Sequence, residues 1–509
     1  MPDLLSILAP RFETAINDAF GLRADPVLRP STQAGVDVQA NAAMALGKQV
    51  GRPPREVAQA IVDKLDLADL ASSVEVAGPG FINVTVRDDV LASLAPHATE
   101  LAPVKTETVV IDYSQPNVAK EMHVGHLRST IIGDAVARIL GHLGHTVIRQ
   151  NHIGDWGTNF GMLIEHMLDL GETEAAHELS LGDLERFYRE ANAKFQTDEE
   201  FKTRARTRVV ALQSGDPETV RLWHLLIAES RQYFEKVYER LGVLLTEDDI
   251  VGESFYNPML DDVARELEES GLAVIDDGAL CVFPPGFAGR DGKPFPLMVR
   301  KRDGGYGYDA TDLAALRYRV KELGGDRIVY VVDARQSQHF ALLFAAAELA
   351  GWLDGTRRAE HVPFGSVLGS DGKPLKTRAG DNVKLIELLD EAVARAEAVV
   401  AEKNPDLDPA TRAEVARMVG IGAVKYADLA NDRIKDYVFD FERMLAFEGN
   451  TAPYLQYAHA RIQSIFRRVE RAGGERGADI TIGTPEEREL AVALIGFDAA
   501  VQGAADTLQ

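Results

Sequence analysis

The stretch from Thr108 to Gln150 restricts the fold of this chain more than any other. "TVVIDY" (108–113) is a short β-branched, apolar run of the kind that forms a buried strand. From Val124 to Gly144 the apolar positions Leu127, Ile131, Ala135, Ile139 and Leu143 recur every four residues, backed by Ile132, Val136 and Leu140. That spacing predicts one long helix. "TVIRQ" (146–150) reads as a second strand. Strand, helix and strand in about 40 residues form a βαβ unit, which demands a parallel sheet with a right-handed crossover. The pattern returns at "DRIVYVVDA" (326–334), followed by the helical "QHFALLFAAAELAGW".

Between these two parts lies an insertion, placed at about 160–300. Residues 160–245 are charged, helical in spacing and free of strand runs. From 272 to 308, "LAVIDDGALCVFPP" and "PFPLMVRKRDGGYGY" read as strands joined by Gly-rich turns. The chain has 509 residues, too many for one core. Residues 1–105 are expected to form a separate α+β unit. Helical spacing in "NAAMALGKQVGRPPREVAQAIVDKL" precedes two alternating runs around Gly78-Pro79-Gly80. An α/β domain is expected over 106–385, and helices alone over 386–509.

Composition restricts the function less than the motifs do. No apolar run reaches the length of a membrane span, and the N-terminus lacks the basic start of a signal peptide. One cysteine, Cys281, excludes an internal disulfide framework and fits a reducing cytoplasm. The net charge of −24 weighs mildly against a nucleic-acid partner, although a local basic stripe can still hold a phosphate backbone.

The chemistry concentrates in "MHVGHLRS" (122–129). His123 and His126 sit one turn apart at the predicted helix start, where unpaired N–H groups and the dipole favour phosphate. Gly125 leaves room for a flat base against the backbone. Two imidazoles so placed could donate to a phosphate as its charge grows in an in-line attack. By itself the short motif also fits a solvated pair of histidines, or a metal site joined by His142, His145 and His152.

The wider stretch "YSQPNVAKEMHVGHLRSTIIGDAVARILGHLGHTVIRQNHIGDWGTNFGMLI" closely resembles the class I aminoacyl-tRNA synthetases and, within them, the arginyl-tRNA synthetases. Their "HIGH" signature stands here as His123-Val124-Gly125-His126. "VEVAGPGFINVTV", "YGYDATDLAALRYR", "VVDARQSQHF", "GKPLKTRAG" and "FEGNTAPYLQYAHARIQSI" extend the likeness over nearly the whole chain. The resemblance implies a Rossmann-type parallel-sheet catalytic domain with a helical insertion. It adds an N-terminal α+β domain that touches tRNA, and a C-terminal all-α domain of the anticodon-binding type, expected to be incomplete at Gln509. It implies an arginine–tRNA ligase that forms arginyl-adenylate from L-arginine and ATP, then charges tRNA(Arg). Mg2+ is expected to arrive with the ATP, with no structural metal, in a cytoplasmic monomer without a membrane.

The resemblance also assigns residues. Tyr308 and Asp312 would hold the arginine side chain, with Glu253 in "VGESFYN" as a second acid. Gln336 and Asn117 would hold the amino-acid end beside His126. The planar fork of a guanidinium, with five donors, suits paired acids better than the point charge of lysine. The second family signature, "KMSKS", is missing. "LGSDGKPLKTRAGDNVKL" stands in its place, with Lys373, Lys376 and Arg378 on a turn-forming loop. Lys120, three residues before His123, occupies the place of the lysine thought to compensate, and it ranks with Lys376 above Lys373. At 452–471, Tyr454, Tyr457, Arg461 and Arg468 share a helix face, a stacking and phosphate-binding surface that the family gives to tRNA. From the residues alone that face also fits tyrosines packed in a core. Two rival readings of the chain stand beside the ligase: a nucleotidyl transferase that charges no tRNA, and an RNA-binding module on a catalytically dead fold.

Overall fold

A computed structural model describes residues 3–171, 175, 184–289, 292–376, 383–474, 477 and 479–509. The chain forms two compact units, residues 1–105 with 464–509, and residues 106–463.

In the larger unit the expected strand-helix-strand signal becomes a four-stranded sheet. Its order is Arg358–Phe364, Arg327–Asp333, Thr108–Asp112, Thr146–Gln150, and every pairing is parallel. Val110 lies opposite Ile328 on one side and Ile148 on the other. The two central strands are almost wholly buried, as expected for apolar runs covered on both faces. The helix Val124–His142 crosses from Thr108–Asp112 to Thr146–Gln150. The helix Ser337–Leu349 crosses from Arg327–Asp333 to Arg358–Phe364. Since the two crossovers leave in opposite directions, the strand order reverses between Thr108–Asp112 and Arg327–Asp333. A crevice at the carboxyl ends of two such strands is where α/β sheets bind ligands.

The insertion is helical over Asn159–Leu170, Leu184–Thr197, Glu199–Gln213 and Pro217–Leu241. The strand-like segment after 272 forms its own antiparallel sheet, ordered Ala273–Asp276, Ala279–Val282, Leu297–Arg300, separate from the parallel one. Arg358–Phe364 went unread in the sequence, since Glu360, His361 and Pro363 break its apolar run. Its edge position explains why Pro363 is tolerated there.

The helices Leu385–Lys403 and Pro409–Leu429 belong to the larger unit. Buried Arg128 of the crossover helix donates to buried Asp428 at 3.0 Å and to the carbonyls of Gly365 and Lys435. Burial pushes the Asp428 carboxyl up to about 6 despite that partner. Beyond Leu385 the chain also contains a two-residue strand, Tyr437–Val438, which pairs with Val367–Leu368.

In the smaller unit a four-stranded antiparallel sheet runs Leu28–Pro30, Val38–Ala40, Phe81–Val86, Ala71–Ala77. Its core joins Leu8, Phe12, Ile16, Val57, Ile61 and Val84 to Ala491 and Ile495. Arg488 makes a bidentate pair with buried Asp37 at 2.8 and 2.7 Å. Residues 464–509 thus share a core with the N-terminal residues, where the sequence places them with the preceding helices. The apolar stretch Pro485–Thr507 is long enough to span a membrane by composition, but it is two helices, Pro485–Ile495 and Phe497–Thr507, one buried in that core through Ala491 and Ile495.

Candidate active site

The loop after Thr108–Asp112 is held in a demanding backbone conformation. Ser114, Gln115 and Ala119 have φ of 76°, 53° and 58°, left-handed values unusual outside glycine. Buried bonds compensate. Ser114 N–H donates to Ser129 Oγ (2.9 Å), Gln115 N–H to Asn151 Oδ1 (3.0 Å) and Ala119 N–H to Ser230 Oγ (2.9 Å). Ser129 Oγ in turn donates to the Val331 carbonyl of the neighbouring strand (2.7 Å). Exposed Asn117 forms a parallel bridge with Gly154. A Cβ at Gly154 would collide with the Asn117 side-chain oxygen, so glycine permits this approach.

His123 is the N-cap of the crossover helix. Its Nδ1 accepts from Gly125 N–H at 3.0 Å, and His126 Nδ1 accepts from His123 N–H at 3.1 Å. The pair therefore forms a reciprocal capping box made of imidazoles. The geometry fixes the tautomers. An Nδ1 that accepts leaves the ring proton on Nε2, so each ring keeps one Nε2–H to donate. Burial, assisted by the other histidine and Lys120, lowers His126 to about 3. Burial, Lys120 and Arg335 lower His123. Both rings are neutral near pH 7. Their centroids lie 4.1 Å apart, and the His123 ring fills the space beside Gly125, where a Cβ would sit 2.6 Å from its Cε1.

Lys120 reaches the same corner, with its ammonium 4.5 Å over the Tyr188 ring. His123 also pairs as an antiparallel bridge with Lys384. Val124 N–H donates to the Val383 carbonyl and Leu385 N–H to that of Met122. Lys384 Nζ lies 2.9 Å from buried Glu121. The segment that follows the lysine-bearing loop is thereby fastened to the histidine motif. Lys373 and Lys376 are exposed, and neither has an ion-pair partner among the described residues. Gly369 N–H donates to the Lys373 carbonyl and Leu375 N–H to that of Val367, a tight hairpin as the turn sequence predicts. Arg378 lies outside the described residues.

A second corner is acidic. Glu253 opens the short 3-10 segment Glu253–Met259, and Asp312 lies one turn into the helix Tyr308–Lys321. Burial, with the charges of Asp312 and Asp155, raises Glu253 to about 7. Among the described residues Glu253 has no ion-pair partner. Asp155 is buried and accepts from Ser254 N–H (2.8 Å) and Ser254 Oγ–H (2.7 Å). Burial pushes its carboxyl up. Asp312 Oδ2 lies 2.6 Å from His339 Nε2, and Asp309 Oδ1 lies 3.4 Å from His339 Nδ1. Burial alone would lower His339, but the two carboxylates prevail and raise it to about 9. Tyr308, 69% exposed, sets its ring edge-on to His339 at 5.2 Å.

Gln336 is exposed at the end of the short turn Ala334–Gln336, just before the helix that carries His339. Its neighbour Arg335 makes a bidentate pair with Asp333, and its charge reaches His123. The end of Thr108–Asp112 thus leads into Asn117 and the imidazoles, and the end of Arg327–Asp333 into Gln336 and His339, the two strands between which the order reverses.

Comparisons with known proteins decide the family. Residues 90–441 match the family described as tRNA synthetases class I (R), catalytic domain. Residues 6–86 match the arginyl tRNA synthetase N terminal domain, and residues 455–509 the DALR anticodon binding domain. The arginine–tRNA ligase of Thermobifida fusca (strain YX) is 56% identical over 517 residues, covering 100% of this chain and 89% of that relative. The enzyme of the same description from Chromobacterium violaceum is 49% identical, covering 96% and 86%. The chain belongs to the arginyl-tRNA synthetase family. Among solved structures, arginyl-tRNA synthetase from Plasmodium falciparum superposes with a TM-score of 0.84 at 28% identity, covering 99% of this chain and 88% of that one. The Thermus thermophilus arginyl-tRNA synthetase gives 0.79 at 27% identity, with the same coverage.

Against this arginyl-tRNA synthetase frame, the sequence reading missed Asp155, Asp309, Arg335, His339 and Lys384. Each lies inside a segment it quoted, but none of the five carries a local signal of its own there. The tRNA-facing expectation falls on the helix Ala452–Arg471, of which only Ala452 and Pro453 are buried. Tyr454 and Tyr457 are 44% and 48% exposed, and Arg461 donates to the Tyr457 hydroxyl at 2.8 Å. These tyrosines do not pack in a core. Gln456 faces inward, its amide bonded to the Met418 carbonyl.

Proposed function

We propose that this chain activates L-arginine with ATP and transfers it to the 3′ end of tRNA(Arg), with its residues in the following roles. The arginine carboxylate attacks the α-phosphorus of ATP. A P–O bond forms there, the bond to the β-phosphate bridge breaks, and pyrophosphate leaves. His123 and His126 donate their Nε2–H groups to phosphate oxygens as charge builds, and Gly125 keeps the backbone low between them. Lys120 and Lys376, with Lys373, supply positive charge for the departing pyrophosphate. Mg2+ comes with the triphosphate and keeps most of its water, so the protein need not build a cage for it. Glu253, Asp312 and Tyr308 receive the guanidinium. Asn117 and Gln336, beside His126, hold the α-amino and carboxylate end. A terminal ribose hydroxyl then attacks the adenylate carbonyl and AMP departs. Tyr454, Tyr457 and Arg461 bind tRNA by stacking and by charge. The enzyme acts in the cytoplasm as a monomer.

One observation carries the substrate assignment. Glu253 is a half-buried carboxyl that has no ion-pair partner among the described residues, and partial burial with the charges of Asp312 and Asp155 raises it to about 7. A pocket in that state is completed by a ligand that brings a planar positive charge with several donors. The test is ATP–pyrophosphate exchange with each standard amino acid, with and without tRNA, followed by a charging assay. Arginine alone should support exchange, and charged tRNA should form. Exchange with lysine or cysteine instead would remove the arginine assignment. Exchange without charging would favour a nucleotidyl transferase, and no exchange at all a catalytically dead fold. For the RNA face, Tyr457→Ala should raise the KM for tRNA about tenfold, the loss of one stacked base, and leave the KM for arginine unchanged. Equal damage to both would assign Tyr457 to packing.

A further inference from the structure

His339 stands against the charge preference of its own helix. It is the third residue of Ser337–Leu349, at the positive end of the helix dipole, where a cation is disfavoured. Yet it lies between two carboxylates of the facing helix, Asp312 at 2.6 Å and Asp309 at 3.4 Å. Asp309 is itself fixed by the backbone, because its Oδ2 accepts from Met298 N–H at 3.0 Å. The ring is also confined by aromatic neighbours, Tyr308 at 5.2 Å and Phe340 at 5.3 Å, both edge-on.

We propose that His339 is a positioning residue for the arginine side chain: it engages one oxygen of Asp312, turns the other toward the guanidinium, and balances the charge that Asp309 adds. The inference rests on reading Asp312 as a guanidinium-binding acid. Its physical content is a count of charge. Asp155, Glu253, Asp309 and Asp312 crowd one corner, and a single arginine brings one positive charge. Without a resident cation the corner would hold several acids against each other, and some would protonate rather than accept hydrogen bonds. His339 supplies that cation from the protein, so the substrate meets a carboxylate already aimed. The raised proton affinity of His339 agrees with this arrangement. The titratable groups that face it are Asp309, Asp312 and Tyr308 from one helix and His361 from the strand Arg358–Phe364. The His361 ring is lowered chiefly by burial and is held by the Val332 carbonyl at 2.9 Å, so it does not compete for the acids.

The experiment compares wild type, His339→Ala, His339→Gln and Asp312→Asn in ATP–pyrophosphate exchange with tRNA present. Arginine and ATP are varied separately across pH 6 to 9. In His339→Ala the KM for arginine should rise about tenfold, with kcat within about twofold and the KM for ATP unchanged. Its acid limb in kcat/KM for arginine should move to higher pH, because Glu253 then faces unbalanced acids. His339→Gln restores a donor but no charge, so it should recover part of the KM and keep the shifted limb. Losses spread equally over kcat and the KM for ATP, or an unmoved limb, would reduce His339 to packing and overturn the inference. An unchanged arginine KM in Asp312→Asn would instead overturn the reading of the acidic corner itself. Should His339→Ala fail to fold, the limb and KM of His339→Gln decide alone.

Discussion

The imidazole corner and the acidic corner solve opposite problems. The imidazole corner is complete in itself: four residues supply both the helix cap and the donors, each Nδ1 is occupied, and both rings rest neutral. The acidic corner is incomplete. It draws Asp155, Glu253, Asp312 and His339 from four separate segments and leaves Glu253 raised to about 7 with no ion-pair partner among the described residues. A satisfied, pre-oriented donor pair changes little when substrate arrives and is suited to charge that appears only in the transition state. An unsatisfied charge is suited to recognising a ground-state cation. Substitutions in the first corner should therefore lower kcat, and substitutions in the second should raise the KM for arginine.

The largest effect expected is at His126. His126→Ala removes an Nε2–H donor that acts on the growing phosphate charge, and adenylate formation should slow by about 10²-fold or more. Single-turnover formation of arginyl-adenylate measures it, with circular dichroism to show that the capped helix persists. A rise in the KM for arginine with unchanged kcat would break the division between the corners. Next is Glu253→Gln, which keeps the shape of the side chain and removes its charge. A hydrogen bond to a charged group contributes about 1.5–3 kcal/mol, so kcat/KM for arginine should fall roughly 10- to 100-fold, mainly through KM. A kcat effect without a KM effect would place Glu253 in the chemistry instead. Then comes Gly125→Ala. Its Cβ would meet the His123 ring at 2.6 Å and push the ring off the Gly125 N–H. We expect kcat to drop about tenfold, on the scale of one misplaced donor, while the KM for arginine stays constant.

The same contrast explains what the sequence could disclose. The imidazole corner is local, so a short motif after a strand and before a periodic helix reveals both its position and its chemistry. The parallel sheet was legible for a similar reason, since buried strands such as Arg327–Asp333 are continuous apolar runs. Arg358–Phe364 was not, because an edge strand tolerates charge and proline. Asp312 and Glu253 were found through family resemblance, not through spacing, because 59 positions of chain separate them. Nothing in "RQSQHF" announces that His339 will fold back onto Asp309 and Asp312. That contact exists only once the two helices are side by side. The union of residues 464–509 with the N-terminal core was equally hidden, since Ala491 and Ile495 share a core with Leu8 and Val57 across at least 434 residues of sequence.

The smallest effect tests the comparison through protons. Arginine favours the ionised form of Glu253, so binding to the free site near neutrality must release a proton. Arginine affinity should rise with pH through about 7 and level off above it. From pH 7.5 down to 6.5 the loss should be about threefold, the cost of deprotonating a group that titrates near 7. The stability of the free protein has the opposite slope. A carboxyl raised on folding binds more protons folded than unfolded between its ordinary range and about 7. Its contribution is present below that ordinary range and is lost as pH rises through 7. Bound arginine restores it, so the gain in Tm from saturating arginine should be larger at pH 8 than at pH 6. The histidines do not imitate this: His126 is lowered to about 3, His123 is lowered by burial and by Lys120, and His339 titrates near 9. Buried Asp428 titrates near 6, but it faces Arg128, not the substrate. In Glu253→Gln both the affinity slope and the pH-dependent gain in Tm should vanish. If they survive, the proton belongs to another group, and the acidic corner does not wait for a cation in the way its geometry indicates.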